Sequence, residues 1–426
     1  MHISKDKRSF VKEGKPYFYL ADTCWSAFTN ATEQDWAYYV DYRKRQGFNT
    51  IQVNLLWQWD ASTPTFDIMP FELGPSKHFD FTKPNPAYFD RVARMLKTAQ
   101  DKDIQVALIL LWCNYIPNTW AQAFNFNRHP FPIDQIEAYV TDVVERFDQY
   151  KPIYVISGDT DFPDEETTAY YERALNQVKK CSPDALTTLH LCGPDSDLPA
   201  SLEQNPNLDF YTFQSGHDVT SPQVIAKLTE RFRRKKKRPV LNAEPCYEMM
   251  GFGPGQYGRF RRFDVRKAAW QSVLGGANAG ITYGAHGIWS WYVPDIPHDT
   301  QSYMVFDRPY PWQDALRFEG ANDYVYLKTF MESHGFERLR PCRDKIANTE
   351  SVELVAAENE DYLIIYAPYN TVLQLRGNYE ACSAVFTDLV SKVTEKAVLY
   401  YNDTKENTQV NMHHFQDDVV LVITKA

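Results

Sequence analysis

YVISGDTDF (154–162) reads as a strand that ends on a carboxylate. It belongs to the apolar run IYVIS (153–157), which is long enough for a strand buried on both faces and too short for a helix. Gly158 closes the run and Asp159 follows, with Asp161, Asp164 and Glu165 just beyond. Comparable runs lie on either side: YFYLA (17–21), TIQVN (50–54), QVALILL (105–111), LTTLH (186–190), FYTFQ (210–214), PVLNA (239–243) and GITY (280–283). Between them the periodicity turns helical. Phe89, Val92, Leu96 and Ala99 form one stripe; Ile136, Val140, Val143 and Phe147 form another. A third stripe carries Val224, Leu228 and Phe232, with Ser221-Pro222 placed to open the helix as N-cap and first residue. Short buried strands alternating with amphipathic helices predict an α/β fold, a (β/α)8 TIM barrel.

Beyond residue 340 the helical period disappears. SVELVAA (351–357), DYLIIYAP (361–368), AVLYYND (397–403) and VVLVIT (419–424) alternate without helices and are separated by turn-forming residues. The chain of 426 residues is longer than one ordinary domain. We read a barrel over 1–338 and a small all-β sandwich over 339–426.

A formal net charge of −10 argues against nucleic acid and anionic membrane surfaces as partners. The basic run RFRRKKKR (231–238) reads best as cations complementing a helix C-terminus, with a polyanion patch or localisation signal as the alternative. No stretch of 18 apolar residues predicts a membrane span. The opening MHISKDKRSFVKEGKP has no apolar core of a leader, and the seven cysteines contain no C-x-x-C pair. Both point to a cytoplasmic protein with free thiols and no zinc site. Oligomeric state is left open.

In a barrel of this kind the strand C-termini name the site. The first strand delivers Asp22 and Trp25; the second Gln52, Asn54, Trp57 and Trp59; the third Trp112 and Asn114. The fourth delivers Asp159, the fifth His190, the sixth Gln214 and His217, and the seventh Glu244. His286, Trp289 and Trp291 follow the eighth. Two long connections, 57–86 and 112–132, lie at the same face. Hydroxyl-rich, uncharged rings need polar partners and flat apolar platforms, so this set suits carbohydrate and calls for no cofactor or metal.

Two carboxyl groups facing each other can cleave a glycosidic bond, one protonating the leaving oxygen and the other attacking carbon or activating water. Asp159 and Glu244 are placed for this at the ends of strands four and seven. Asp159 is alternatively a helix cap, with Asp161 as the acid. Glu244 is alternatively the ion-pair partner of Arg262 or Arg266, with Glu248 its nearest competitor. A metal-dependent barrel sugar isomerase would want more carboxylates converging on one point. A non-catalytic carbohydrate-binding protein would keep the aromatic residues without needing the acid pair.

GKPYFYLADTCWSAF (14–28), YRKRQGFNTIQVN (42–54), GDT (158–160), RPVLNAEPCYE (238–248) and TYGAHGIWSW (282–291) together resemble the apiosidase-like glycoside hydrolases across most of 10–330. The resemblance implies a (β/α)8 catalytic domain with a C-terminal β-sandwich, an acid/base at Asp159 and a nucleophile at Glu244. We read a retaining, exo-acting enzyme that removes a terminal sugar from plant-type oligosaccharides or glycosides. One departure is Ser157 before Gly158-Asp159, where family members often carry a second glycine.

Overall fold

The computed structural model describes residues 1–58, 68–76, 78–126, 129–253, 256–296 and 306–425. Trp59, expected at the barrel mouth, lies outside them. The main sheet has eight parallel strands: Tyr19–Thr23 (β1), Thr50–Asn54 (β2), Gln105–Trp112 (β3), Ile153–Gly158 (β4), Thr187–Thr188 (β5), Tyr211–Gln214 (β6), Val240–Glu244 (β7) and Gly280–Tyr283 (β8). Their order is β5-β4-β3-β2-β1-β8-β7-β6, all neighbours parallel. The helices that follow them in turn are Glu33–Gln46 (α1), Pro86–Asp101 (α2), Ile136–Phe147 (α3), Glu165–Cys181 (α4), the single turn Ala200–Gln204 (α5), Val224–Arg234 (α6), Arg262–Gly275 (α7) and Gly320–Ser333 (α8). This is a TIM barrel.

Closure is unusual at one seam. Among the described residues β5 and β6 form no ladder. One main-chain bond crosses it, Asp209 N to the Thr187 carbonyl at 3.1 Å; beyond that the Thr188 hydroxyl donates to the Phe210 carbonyl at 2.8 Å and the Thr212 hydroxyl to the Leu189 carbonyl at 2.6 Å. Buried carbonyls need donors, and here two β-branched hydroxyls supply them across the gap.

Two differences from the sequence reading have local causes. The segment 2–17, not assigned beforehand except for Tyr17, forms a three-stranded antiparallel sheet ahead of β1. Its Phe10 ring meets Phe210 edge-on at 5.0 Å and plugs the barrel's N-terminal end. Helix α6 begins at Val224 rather than Ser221. The Ser221 hydroxyl donates to Asp218, so it closes the preceding turn instead of capping the helix.

From Arg340 the chain is antiparallel β. A six-stranded sheet and a three-stranded sheet share one apolar layer, with Leu363, Ile365, Leu421 and Ile423 facing Leu375 and Val410. The intervening residues Ile364, Tyr366 and Val420 point the other way and join the barrel's core. That alternation is the period of two expected of a strand with both faces covered. The larger sheet lies on α7, where Tyr366 stacks on Trp270 at 6.0 Å and 9°.

Candidate active site

Glu244 ends β7 and is buried, and two imidazoles hold its carboxylate. His217 Nε2 lies 3.1 Å from Oε1 in a hydrogen bond, and His190 Nε2 lies 3.3 Å from Oε2. The second contact lacks the alignment of a good hydrogen bond, leaving Oε2 and His190 Nε2 without a well-made partner. Burial alone would raise the Glu244 pKa, but the two histidines outweigh it and pull the group down to about 2. The carboxylate is therefore ionised throughout the ordinary pH range.

His190 also joins the two strand ends. Its Nδ1 accepts the main-chain N–H of Asp159 at 3.1 Å, which puts the ring proton on Nε2, toward Glu244. With one nitrogen accepting and the other protonated, the ring has no lone pair to give a metal. Asp159 meets this geometry in the left-handed region, at φ +47°. A non-glycine residue there is strained, and such strain concentrates at working sites. The Ser157 hydroxyl donates to the His190 carbonyl at 2.9 Å, a bond that a glycine in that position could not make. Gly158 is required for a different reason: a Cβ would come within 2.0 Å of the Trp112 ring.

The alternatives to the acid pair are engaged elsewhere. Asp164, not Asp159, caps α4 by accepting from Thr167 N. Asp161 accepts from Trp120 N at 2.9 Å, while the Trp120 indole donates to the Asp159 carbonyl at 2.7 Å, so Asp161 fastens the loop after β3. Glu248 accepts from the Tyr283 hydroxyl and from Gly320 N with a single oxygen. Burial raises its pKa to about 6. Arg262 and Arg266 pair with Asp323 and Asp418 rather than with Glu244.

The expected sugar-binding residues divide into two groups. Trp25, Trp112 and His190 form one wall, with ring centroids 5.2 to 6.2 Å apart. The Trp112 indole N–H, the Asn54 Oδ1 and the His217 Nδ1 are buried without a partner, as groups reserved for a ligand would be. Asn114, two positions beyond Trp112, is fully buried with its amide unpartnered. Gln214 accepts from Gly193 N at 3.3 Å, and Trp57 is half-buried with its carbonyl held by Tyr115.

Four residues of the expected set are committed to the scaffold. Asp22 points away from the barrel axis into α1, accepting from Arg43 Nε at 2.6 Å and the Tyr39 hydroxyl at 2.7 Å, with no exposed surface. Gln52 crosses the lumen from β2 and donates to the Ala243 carbonyl at 2.8 Å, directly below Glu244. His286 is sealed between the Trp289 indole N–H at 3.1 Å and the Asp307 carbonyl at 2.9 Å. Trp289 is thereby tied down as well, stacked on His286 at 6.1 Å.

Tyr247 belongs to the site and was missed, although RPVLNAEPCYE includes it. Its hydroxyl accepts from the Trp25 indole at 3.0 Å, its ring lies 4.7 Å from that of His217, and Glu244 stands close enough to help raise its pKa.

Residues 4–338 match the model of the apiosidase-like catalytic domain. No curated protein matches the sequence significantly. Among solved structures, one described as a glycoside hydrolase is 23% identical, with TM-score 0.79, covering 100% of this chain and 96% of that one. A family 5 glycoside hydrolase from Bacteroides vulgatus is 21% identical with TM-score 0.81, covering 100% and 93%. An exo-β-1,4-mannosidase from Opitutaceae bacterium strain TAV5 is 15% identical with TM-score 0.51, covering 78% and 63%. At these identities the structural likenesses speak for the fold, whereas the family match extends across the barrel and its mouth. The chain belongs to the apiosidase-like glycoside hydrolases, and 4–338 holds its catalytic domain.

Proposed function

We propose that this glycoside hydrolase is exo-acting and retaining, with Glu244 as nucleophile and Asp159 as general acid/base. The observation that carries the reading is the Glu244 carboxylate: buried, ionised, and gripped firmly at Oε1 but loosely at Oε2. Oε2 attacks the anomeric carbon while Asp159 gives its proton to the departing oxygen. Asp159 then takes a proton from water as that water displaces the glycosyl ester with a second inversion. The buried, unpartnered Trp112 indole N–H and Asn54 oxygen receive sugar hydroxyls at the wall formed with Trp25 and His190.

The substrate class we propose is a terminal sugar on a plant-type oligosaccharide or small glycoside, with an apiosyl residue the first to test because of the family. End-wise cleavage is compatible with the scaffold, since a neighbour of similar fold is an exo-mannosidase. Seven free cysteines suit action in a reducing compartment.

The test is a screen of aryl glycosides and plant-type oligosaccharides with and without chelator, followed by NMR of the first-formed product. Retained anomeric configuration is expected. An inverted product would remove the double displacement and require the two carboxyl groups to stand ~6.5–9.5 Å apart instead of ~5–5.5 Å.

A further inference from the structure

The basic run at 231–238 has a partner in space that helix electrostatics does not explain. Cations in the last turn of α6 complement its dipole, which accounts for Arg231, Arg233 and Arg234. It does not account for Arg8 and Arg340, which come from the N-terminal sheet region and from the first C-terminal strand. All three chain segments meet in one cleft of about 160 Å³ lined by Arg8, Arg233, Lys236, Lys237 and Arg340. The cleft opens where β7 begins, at the opposite end of the strand from Glu244.

Counter-charge is scarce there. Arg340 reaches Asp6 at 3.2 Å. Among the described residues no carboxylate lies within ion-pair distance of Arg8, Arg233, Lys236 or Lys237; Asp6 and Glu230 act on them only from further off. Lys235 and Arg238, the remaining basic residues of the run that line the cleft, are by contrast satisfied by Glu203 and its surroundings. The three guanidinium groups crowd one another: burial and then the Arg8 charge pull Arg233 and Arg340 below the usual arginine range. The crowding is also built in. Gly276, at φ +128°, is the place where a Cβ would come within 2.2 Å of Arg233 Cδ, so the turn before β8 is shaped around that arginine. A protein of net charge −10 that gathers five cations around one small opening has made a place for an anion.

We infer that this cleft binds a compact oxyanion of phosphate type, presented either as free phosphate or as the phosphate group of a phosphorylated sugar. Guanidinium forks match the tetrahedral oxygens of phosphate in pairs, and the two lysines add point charge without geometric demand. An occupant would tie together the N-terminal segment, the barrel and the C-terminal sheets, each of which contributes a cation.

The experiment is calorimetric titration and thermal unfolding of the full chain with inorganic phosphate, against chloride at matched ionic strength. Phosphate is expected to bind with a stoichiometry of about one and raise the unfolding temperature where chloride does not. Arg8→Ala combined with Arg233→Ala should weaken phosphate binding by about tenfold or more. The pair relieves repulsion but also removes a helix-end cation and its packing on Gly276, so the ligand-free variant is checked by circular dichroism, and a parent-like spectrum with lost binding shows that misfolding is not the cause. A sugar monophosphate binding more tightly than phosphate supports the site and names the phosphorylated sugar as its source; equal affinity supports the site and names free phosphate. Stabilisation by chloride equal to that by phosphate, or undiminished phosphate binding in the double variant, overturns the proposal.

Discussion

Two buried charged clusters in this molecule have opposite states of completion. Between the barrel and the C-terminal sheets, Arg266 donates to Asp418 and Asp323; Arg262 and Lys392 also reach Asp323, and the Tyr366 hydroxyl caps Asp418. Every charged atom of that interface finds a partner, and burial is outweighed strongly enough to hold Asp323 below the usual carboxylate range. At the barrel mouth, Glu244 and its two histidines leave Oε2, His190 Nε2 and His217 Nδ1 unsatisfied. Each unmade bond costs about 1–3 kcal/mol in a buried place. A fold that completes one cluster and leaves the other open forgoes stability at the proposed site, where unmade bonds remain for a ligand.

The comparison breaks first, and most visibly, at Glu244. Glu244→Gln should reduce turnover of every substrate on the order of 10⁴-fold or more, whatever the leaving group, with circular dichroism showing an intact fold. Retention of full activity would end the nucleophile assignment.

Asp159→Asn should cost about 10²–10⁴-fold on glycosides with poor leaving groups and far less on activated aryl glycosides. Azide should partly restore the variant on an activated substrate and yield a glycosyl azide of unchanged configuration, since the anion needs no general base. Equal losses on both substrate types would move the proton donor elsewhere.

Asp418→Asn tests the completed cluster. Breaking a buried pair that leaves Arg266 short of a partner should lower unfolding free energy by about 3–5 kcal/mol in denaturant titration. The folded enzyme should keep kcat within about twofold, because the sites share no partner. A large fall in kcat at unchanged stability would show that the C-terminal sheets take part in the site.

The smallest effect belongs to Glu248, whose carboxyl sits between the two clusters in character. Its folded pKa, about 6, lies above the ordinary 4.5, so the stability it provides is fully present below pH 4.5 and is lost as pH rises through 6. The loss should amount to about 2 kcal/mol. Glu248→Gln should flatten unfolding temperature across that window; an unaltered slope would assign it to another group. Glu244 acts in the opposite sense, since its stabilising contribution is present above pH 4.5 and is lost as pH falls toward 2.

The strands were legible because apolar runs of this length have few other uses, and β2 and β8 begin and end where TIQVN and GITY do. What the runs do not encode is parity. All five residues of β1 are buried, so nothing in the pattern says which face each side chain takes. Asp22 therefore looked like a mouth residue, although its neighbour Thr23 is the one bonded to Gln52 inside the barrel. Residues past the strand ends, such as His217, escape that ambiguity. Tyr247 was missed because it reaches Trp25 and His217 from a loop three positions beyond Glu244. In the C-terminal part, strands such as Thr394–Lys396 were missed because their residues are largely exposed and carry no apolar alternation.

The threonine-sealed seam gives the mouth a line of compliance. His190 follows β5 and His217 follows β6, so the two jaws that grip Glu244 stand on opposite lips of the junction that, among the described residues, has a single main-chain bond, Asp209 N to the Thr187 carbonyl, and is otherwise held by side chains. A small parting there would draw the jaws apart and loosen the carboxylate while the seven paired junctions stayed closed. Binding a sugar and altering the hold on the Glu244 carboxylate would then be one mechanical act. It would be seen as faster amide exchange along β5 and β6 than along β3 and β4, slowing when the mouth is filled.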